Sequence, residues 1–255
     1  MFTEERHNQI MRLITAKKYV TVEELCGQLF VSAATIRRDL SYMEKAGYLK
    51  RSHGGAALVE SLSGELSDTV RELEHVREKR ALAELAGSFL KSGLTIFMDS
   101  SSTARAVIPF LKPYTNLAVI TNGLKNAMLL SQATDAKVFV PSGVLSLRSY
   151  ALMGIDTRDY LAGMNAQLAF VSCGGVDLSS GITDPSPEQS ALKRVMLQNA
   201  KIRVLLCDHS KFGAVYLCKT CGFEGLDYIV TDSPPPEEYQ QAAAKAGCEI
   251  LSAAP

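Results

Sequence analysis

Short apolar segments alternate with helical patterns through most of this chain, and the alternation is the strongest constraint on its fold. Six segments are predicted to be strands, because each is a nearly continuous apolar run bounded by turn residues. They lie at residues 95–99, 117–121, 136–141, 168–173, 202–208 and 228–232. Continuous apolar strands separated by helices are typical of a parallel sheet covered by helices on both faces. The sequence therefore predicts an α/β body.

The first sixty residues have a different pattern, and a chain of 255 residues exceeds the usual size of one domain. Residues 1–58 contain nine Lys or Arg and six Asp or Glu, whereas the remainder contains 18 and 21, so a neutral chain has a basic head. The stretch 60–68, rich in Ser, Gly and acids, is typical of a solvated connection, and a helix is predicted from Thr69 to Leu90. We predict a head at 1–59, a linker at 60–75 and the α/β body at 76–255.

The lengths of the apolar runs, the cysteines and the absence of nucleotide-binding motifs indicate the cellular compartment and the cofactors. No apolar run approaches the roughly 18 residues that span a bilayer, and the acidic start of the chain disfavours a signal peptide, so we expect a cytoplasmic protein with no membrane partner. Cys218 and Cys221 form a single C-x-x-C, which is either redox-active or simply two loop thiols, since no second pair completes a zinc site. We expect no metal and no cofactor, because the sequence has neither a dinucleotide fingerprint nor a Walker A motif.

The stretch from Ser32 to Leu49 predicts a short amphipathic helix. Ser32 is a typical N-cap, and Gly47 is suited to ending the helix. The apolar stripe between them has helical spacing and consists of Ile36, Leu40 and Met43. Away from the stripe lie Thr35, Arg37 and Arg38, and Arg side chains can pair with guanine or hold a phosphate. An ordinary solvated face is the alternative interpretation of the two arginines.

Neighbouring signals place this helix in a helix-turn-helix. A capping box at Thr21–Glu24 starts a preceding helix, and only about four residues, 30–33, separate the two helices. Beyond them, two β-prone stretches around Gly54-Gly55 predict a hairpin, the wing of a winged helix. Lys50, Arg51 and His53 on this wing can reach phosphates or a minor groove, although ordinary surface decoration explains His53 equally well.

The sequence Val-Ser-x-x-Thr-Ile-Arg-Arg-Asp-Leu, followed by Leu-Lys-Arg-Ser-His-Gly-Gly-Ala, resembles the DNA-binding head of the DeoR family of bacterial transcriptional regulators. The resemblance implies a winged helix-turn-helix that binds double-stranded operator DNA near sugar-metabolism genes, usually as a repressor. Asp39 is expected to orient an arginine or cap a helix, because phosphate would repel it. Helix-turn-helix proteins usually bind as symmetric oligomers, so a homodimer or homotetramer is expected. The predicted DNA contacts are Ser32, Thr35, Arg37, Arg38, Lys50, Arg51 and His53.

Small and polar residues follow nearly every predicted strand of the body, at the edge where open parallel sheets bind ligands. The motifs Asp-Ser-Ser-Ser-Thr103, Thr-Asn-Gly123, Gly-Gly-Val-Asp177, Leu-Lys-Arg-Val-Met196 and Asp-His-Ser-Lys-Phe-Gly213 resemble the family's effector domain. That resemblance implies a Rossmann-like fold shared with ribose-5-phosphate isomerase and glucosamine-6-phosphate deaminase, and a phosphorylated sugar or related anionic metabolite as effector. Short turns and caps are the alternative explanation. The predicted effector-binding residues are Asp99, Ser101, Ser102, Thr103, Thr121, Asn122, Gly143, Gly174, Gly175, Lys193, Asp208 and Lys211.

A sugar-phosphate isomerase or deaminase that keeps a DNA-binding head is the second hypothesis. Asp177, Asp184 and Glu188 lie near Lys193 in the sequence and can form an acid/base set, but a polar loop is the simpler explanation. No nucleophile elbow accompanies His209 and Ser210. Because a fold does not by itself imply an activity, we expect a regulator and not an enzyme.

Overall fold

The computed structural model describes residues 3–45, 48–58 and 66–253. The chain divides into two compact units, Met1–Glu74 and His75–Pro255. Gly47, predicted to end the amphipathic helix, and residues 59–65 around the predicted head–linker boundary lie outside the described residues. The first unit contains a small antiparallel sheet, and the second is built on a parallel one.

The first unit is a helix-turn-helix with a wing, as predicted. The short strand that follows the first helix joins the wing hairpin, so that β3 lies between β1 and β2 in a three-stranded antiparallel sheet. In chain order the described elements are α1 (Thr3–Lys17), β1 (Tyr19–Thr21), α2 (Val22–Leu29), α3 (Ala33–Lys45), β2 (Leu49–Ser52), β3 (Gly55–Leu58) and α4 (Asp68–Leu73).

The predicted capping box forms at the start of α2. Thr21 Oγ1 accepts a hydrogen bond from the Glu24 backbone N–H at 3.1 Å, and Glu24 Oε2 accepts one from the Thr21 N–H at 2.8 Å. The predicted apolar stripe of α3 is buried in a core that also holds apolar residues of α1 and α2. Burial of this stripe decides which face of α3 remains exposed.

The segment predicted as one helix from Thr69 to Leu90 is two helices in the structure. α4 ends at Leu73, and α5 begins only after His75, whose φ of 51° lies in the left-handed region and interrupts the helical path. Val70 of α4 is buried in the apolar core of the first unit. The predicted linker at 60–75 thus includes a helix that packs on the head, because this tertiary contact outweighs the local helical periodicity.

The second unit contains twelve strands and seven α-helices within the described residues. The helices are α5 (Val76–Ala86), α6 (Ser102–Arg105), α7 (Ile108–Leu111), α8 (Leu124–Ala133), α9 (Ile155–Ala162), α10 (Pro187–Gln198) and α11 (Glu237–Lys245). The strands are β4 (Thr95–Met98), β5 (Ala118–Thr121), β6 (Lys137–Phe139), β7 (Val144–Ser146), β8 (Ala151–Met153), β9 (Ala166–Val171), β10 (Gly175–Asp177), β11 (Gly181–Asp184), β12 (Ala200–Leu206), β13 (Cys218–Cys221), β14 (Tyr228–Thr231) and β15 (Glu249–Ser252).

One seven-stranded sheet organises this unit, in the order β15-β14-β12-β9-β4-β5-β6, and all of its neighbouring strands are parallel. Alternate residues of the central strand β9 point to opposite faces. Leu168 and Phe170 pack into one apolar core, and Ala169 and Val171 pack into another. The sheet is therefore covered on both faces, which confirms the predicted α/β class and the six predicted strands.

Some elements of the second unit are not predicted by the sequence pattern. β15 adds a seventh strand at one edge of the sheet, β7 and β8 form a hairpin, and β10, β11 and β13 form a separate antiparallel sheet. These strands have only three or four residues each, and they form by pairing of segments that the sequence pattern does not link. None of the helices in the described part of the chain has the length and apolar character that crossing a membrane requires.

Candidate functional site

The outer face of α3 presents the two predicted arginines. Arg37 and Arg38 are exposed, whereas Ile36 on the preceding position is fully buried. Ser32 caps the helix as predicted, because its Oγ accepts a hydrogen bond from the Thr35 N–H at 3.3 Å and lies 3.0 Å from Thr35 Oγ1. The hydroxyls and guanidinium groups named by the sequence therefore occupy the first two turns of one exposed helix.

The wing lies beside this helix. Its two-residue turn uses Gly54 at a φ of +82°, a conformation that favours glycine. Lys50, Arg51 and His53 are all exposed. Arg51 is partly engaged, since its Nη1 donates to Ser41 Oγ of α3 at 2.6 Å, but a guanidinium has five N–H donors. A groove of about 670 Å³ between α2, α3 and the wing is lined by Arg37 and Arg51 among others.

Asp39 points away from this exposed face. Its carboxylate is buried and accepts hydrogen bonds from the Arg6 guanidinium of α1, with Arg6 Nε 2.6 Å from Oδ2. The expectation that Asp39 orients an arginine is met by Arg6, and not by an arginine of α3. Arg6 was missed by the sequence reasoning, because no local pattern links positions 33 residues apart.

The predicted effector residues converge at the carboxyl edge of the parallel sheet. Adjacent strands end in Thr121-Asn122 after β5, Asp99 to Thr103 after β4, Gly174-Gly175 after β9, and Asp208 to Lys211 after β12. Gly143 follows β6, the neighbour of β5. Because parallel strands lie about 4.8 Å apart, the loops after these five neighbouring strands form one continuous rim.

Asp99 is the centre of a buried hydrogen-bond network at this rim. Its Oδ1 accepts from Ser101 Oγ at 2.5 Å, and its Oδ2 accepts from the Ser172 backbone N–H at 3.0 Å. Asn126 Nδ2 donates to the Asp99 carbonyl at 2.7 Å, and Arg105 Nε donates to Asn126 Oδ1 at 2.7 Å. The sequence reasoning missed Asn126 and Arg105, which hold the loop from behind and lie within helical patterns.

Lys193 is buried between two carboxylates. Its Nζ lies 2.5 Å from Asp184 Oδ1 and 3.6 Å from Asp99 Oδ2. Burial alone would lower the pKa of Lys193, but Asp184 and Asp99 outweigh it and raise the pKa above its ordinary value. Lys193 thus stays protonated, with its charge balanced by protein carboxylates.

Asp208 and Asn122 carry acceptor atoms that no described residue satisfies. Asp208 Oδ2 and Asn122 Oδ1 are buried without a hydrogen-bond partner among the described residues. Burial opposes ionisation of Asp208, but nearby Lys211 and a hydrogen bond from Ser210 lower its pKa below the ordinary value. Lys211 itself is half-buried. A ligand hydroxyl at either acceptor would satisfy an atom that is costly to leave unpaired.

The three predicted glycines have packing roles. A Cβ on Gly175 would lie 2.1 Å from the Ala214 carbonyl oxygen, and one on Gly143 would lie 2.1 Å from Thr157 Oγ1. A Cβ on Gly174 would lie 2.8 Å from the ring of Tyr216. Glycine is therefore needed at these positions for close approach of the chain, whether or not a ligand touches them.

Two family models match this chain, one over most of each unit. A DeoR-like helix-turn-helix domain matches residues 6–62, and a DeoR C terminal sensor domain matches residues 74–233. The chain belongs to the DeoR family of transcriptional regulators. The HTH-type transcriptional regulator GolR of Listeria innocua is 34% identical over 91% of this chain and 92% of its own length. The glycerol-3-phosphate regulon repressor of Escherichia coli is 30% identical over 93% of this chain and 94% of its own length.

Two solved structures are remotely similar to this DeoR-family chain. Ribose 5-phosphate isomerase A from Methanocaldococcus jannaschii is 19% identical, with 52% of this chain and 53% of that chain covered and a TM-score of 0.39. A translation initiation factor eIF-2B structure from Pyrococcus horikoshii is 15% identical, with 64% of each chain covered and a TM-score of 0.44. Likeness at this level carries no argument about function.

In the alternative acid/base set of this DeoR-family protein, Asp184 and Lys193 contact each other, whereas Glu188 accepts a hydrogen bond from Ser186 Oγ at 2.9 Å. Asp177 caps a turn by accepting hydrogen bonds from Ser179 and Ser180, and these bonds lower its pKa to about 2. Asp184 is occupied by Lys193. Cys218 and Cys221 are free thiols at the two ends of β13, on a strand and not in a loop, and the pairing of this strand with β11 is irregular between them. No cluster of His, Cys, Asp and Glu in the described residues could hold a metal ion.

Replacing Gly175 by Ala should destabilise the second unit by about 1–3 kcal/mol, because the new methyl group meets a backbone oxygen that cannot move freely. Gly87→Ala is the matched control, since no atom lies within 4 Å of its Cβ position and its φ is −56°. Differential scanning calorimetry of the full chain measures both variants. Equal melting temperatures for the two would contradict the packing role of Gly175.

The pair of His209 and Asp232 should make stability depend on pH. Nδ1 of His209 lies 2.8 Å from Asp232 Oδ2, and this contact raises the pKa of His209 above its ordinary value. The stabilisation that protonated His209 gains from Asp232 is fully present below the pKa of His209 in the unfolded chain. It is lost as the pH rises through the pKa of His209 in the folded protein. In an NMR titration, Asp232→Asn should lower the His209 pKa. An unaltered His209 titration would contradict the assignment.

Proposed function

We propose that the protein is a DNA-binding transcriptional repressor of sugar or related metabolite genes, controlled by a phosphorylated sugar-type effector bound in the second unit. The exposed arginine pair of α3 carries this proposal. Arg37 and Arg38 face outward from a helix whose opposite side is buried in the core of a winged helix. Of the two relatives, one is named a transcriptional regulator and the other a regulon repressor, which supports repression as the mode of control.

The head offers two complementary contacts to a duplex. Residues near the N-terminus of a recognition helix contact base edges in the major groove, and Thr35, Arg37 and Arg38 occupy that part of α3. Lys50 and His53 are exposed on the wing, and we propose that they contact phosphate groups. Because helix-turn-helix proteins read paired half-sites, we propose that the functional form is a homodimer or homotetramer.

The rim of the second unit supports a phosphorylated polyol as effector. Lys211 is the better partner for a phosphate than Lys193, since Lys193 is enclosed by Asp184 and Asp99. Sugar hydroxyls can donate to the buried acceptors Asp208 Oδ2 and Asn122 Oδ1. Such an effector controls DNA binding only if it has different affinities for two arrangements of the protein.

Arg37→Ala and Arg38→Ala should each weaken specific DNA binding by about 1–3 kcal/mol if the arginine contacts a base. A gel shift with DNA upstream of the protein's own gene, against scrambled DNA of equal length, measures the loss. Loss of a phosphate contact would instead weaken both DNAs and reduce the salt dependence by about one unit. Arg80→Ala, an exposed arginine of the second unit, is the control. Unchanged specific binding in both α3 variants would refute the DNA-binding assignment.

A thermal-shift screen with pentose, hexose and glycerol phosphates tests the effector proposal. A ligand at 100 times its Kd should stabilise the second unit by about 2.7 kcal/mol through mass action. Lys211→Ala should abolish the shift, because it removes the cation proposed to hold the phosphate. Lys219→Ala, which removes an exposed lysine of β13, should leave it intact. If the unphosphorylated sugars shift the protein equally, the ligand is not recognised through a phosphate.

A further inference from the structure

We propose that Arg6 of α1 is a positioning residue that sets the orientation of the recognition helix α3 through the buried carboxylate of Asp39. Arg6 precedes the helix-turn-helix in the chain and lies outside the exposed face of α3. The inference rests on the proposed DNA binding by α3 and assigns a role to a residue that does not itself touch DNA.

The contact between Arg6 and Asp39 is a buried fork. Arg6 Nε donates to Asp39 Oδ2 at 2.6 Å and Nη2 donates to Oδ1 at 3.1 Å, so both carboxylate oxygens are engaged. Arg6 is 6% exposed and Asp39 is 3% exposed. Two parallel N–H to oxygen bonds restrict both distance and angle, which a single bond or an apolar contact does not.

A neighbouring residue of α1 supports the same carboxylate. His7 Nε2 lies 3.2 Å from Asp39 Oδ1, and the His7 ring stacks on Tyr42 of α3 with a centroid distance of 5.3 Å and an interplanar angle of 22°. Burial would raise the pKa of Asp39, but Arg6 and His7 outweigh it and lower the pKa. Asp39 is therefore held as a carboxylate against α1.

The Arg6–Asp39 pair fixes the rotation of α3 about its own axis, which the apolar stripe of α3 leaves undefined. Ile36, Leu40 and Met43 bury one side of the helix, but apolar packing is non-directional and tolerates small rotations. Successive helical residues are turned by about 100°, so a rotation of α3 moves Arg37 and Arg38 together with Asp39. Tying Asp39 to Arg6 thus defines where both exposed arginines point.

A stability role and a positioning role predict different results, because a buried ion pair is not required for stability. Removing one partner leaves a buried unpaired charge and is destabilising, whereas replacing both partners by apolar residues is often neutral or stabilising. Arg6→Met alone should therefore lower the melting temperature. The double variant Arg6→Met/Asp39→Leu should regain it, while the directional contact stays absent.

The experiment compares the full-length wild type with Arg6→Met, with Arg6→Met/Asp39→Leu and with Arg12→Met, an exposed arginine of α1 that serves as the control. Kd values are measured for DNA upstream of the protein's own gene and for scrambled DNA of equal length, and calorimetry gives the melting temperatures. We expect both variants lacking Arg6 to lose specific affinity by roughly tenfold to a hundredfold, with binding to scrambled DNA nearly unchanged. Arg12→Met should match the wild type.

Recovery of specific affinity together with melting temperature in the double variant would overturn the proposal, since the pair would then be merely structural. Wild-type specificity in Arg6→Met would overturn it as well. If Arg6→Met fails to fold, the double variant alone decides between the two roles. Absence of a specific complex with the wild type would instead refute the proposed DNA binding, on which this inference rests.

Discussion

Parallel pairing of the seven central strands is the constraint on which the second unit depends. Parallel strands need long crossovers, and those crossovers cover both faces of the sheet, so every strand of the centre must be apolar on both sides. The same pairing sends all carboxyl ends to one edge. Asp99, Asn122, Gly174 and Asp208 belong to distant parts of the chain, yet the strand order places their loops side by side.

Buried charge is concentrated at this edge and is balanced locally. Lys193 of α10 joins Asp99 after β4 to Asp184 at the end of β11, and so connects the main sheet to the small antiparallel sheet. A lone buried ammonium would be costly, but two carboxylates offset its desolvation. Lys211, by contrast, lies half-buried at the rim. This difference is why Lys211, and not Lys193, is proposed as the partner of a phosphate.

The head is held together by apolar packing, which is non-directional, and by polar contacts, which are directional. Its apolar core buries the stripe of α3 and thereby exposes Arg37 and Arg38. Polar contacts then fix the orientation of individual side chains. Arg51 of the wing donates a hydrogen bond to Ser41, and Asp39 accepts two hydrogen bonds from the Arg6 guanidinium. α4 adds Val70 to the same core, so the chain leaves the head through a packed helix. The precision of a recognition surface depends on such second contacts, because sites left unsupported are loosely held.

The amino-acid sequence by itself determined the features that depend on local period and capping. A winged helix followed by a parallel α/β unit was predicted from the helical spacing of Ile36, Leu40 and Met43, the capping box at Thr21 and six apolar runs. The family resemblance agrees with both matched family models. The proposed DNA and effector contacts remain predictions. Only the tertiary structure decided that the helix predicted from Thr69 breaks at His75, that Lys193 is enclosed by carboxylates, and that Asp39 belongs to Arg6. The contacts of Asp39 with Arg6 and of Lys193 with Asp99 join residues far apart in the chain. The period of a sequence pattern indicates which face a side chain is on, but not which group it will contact.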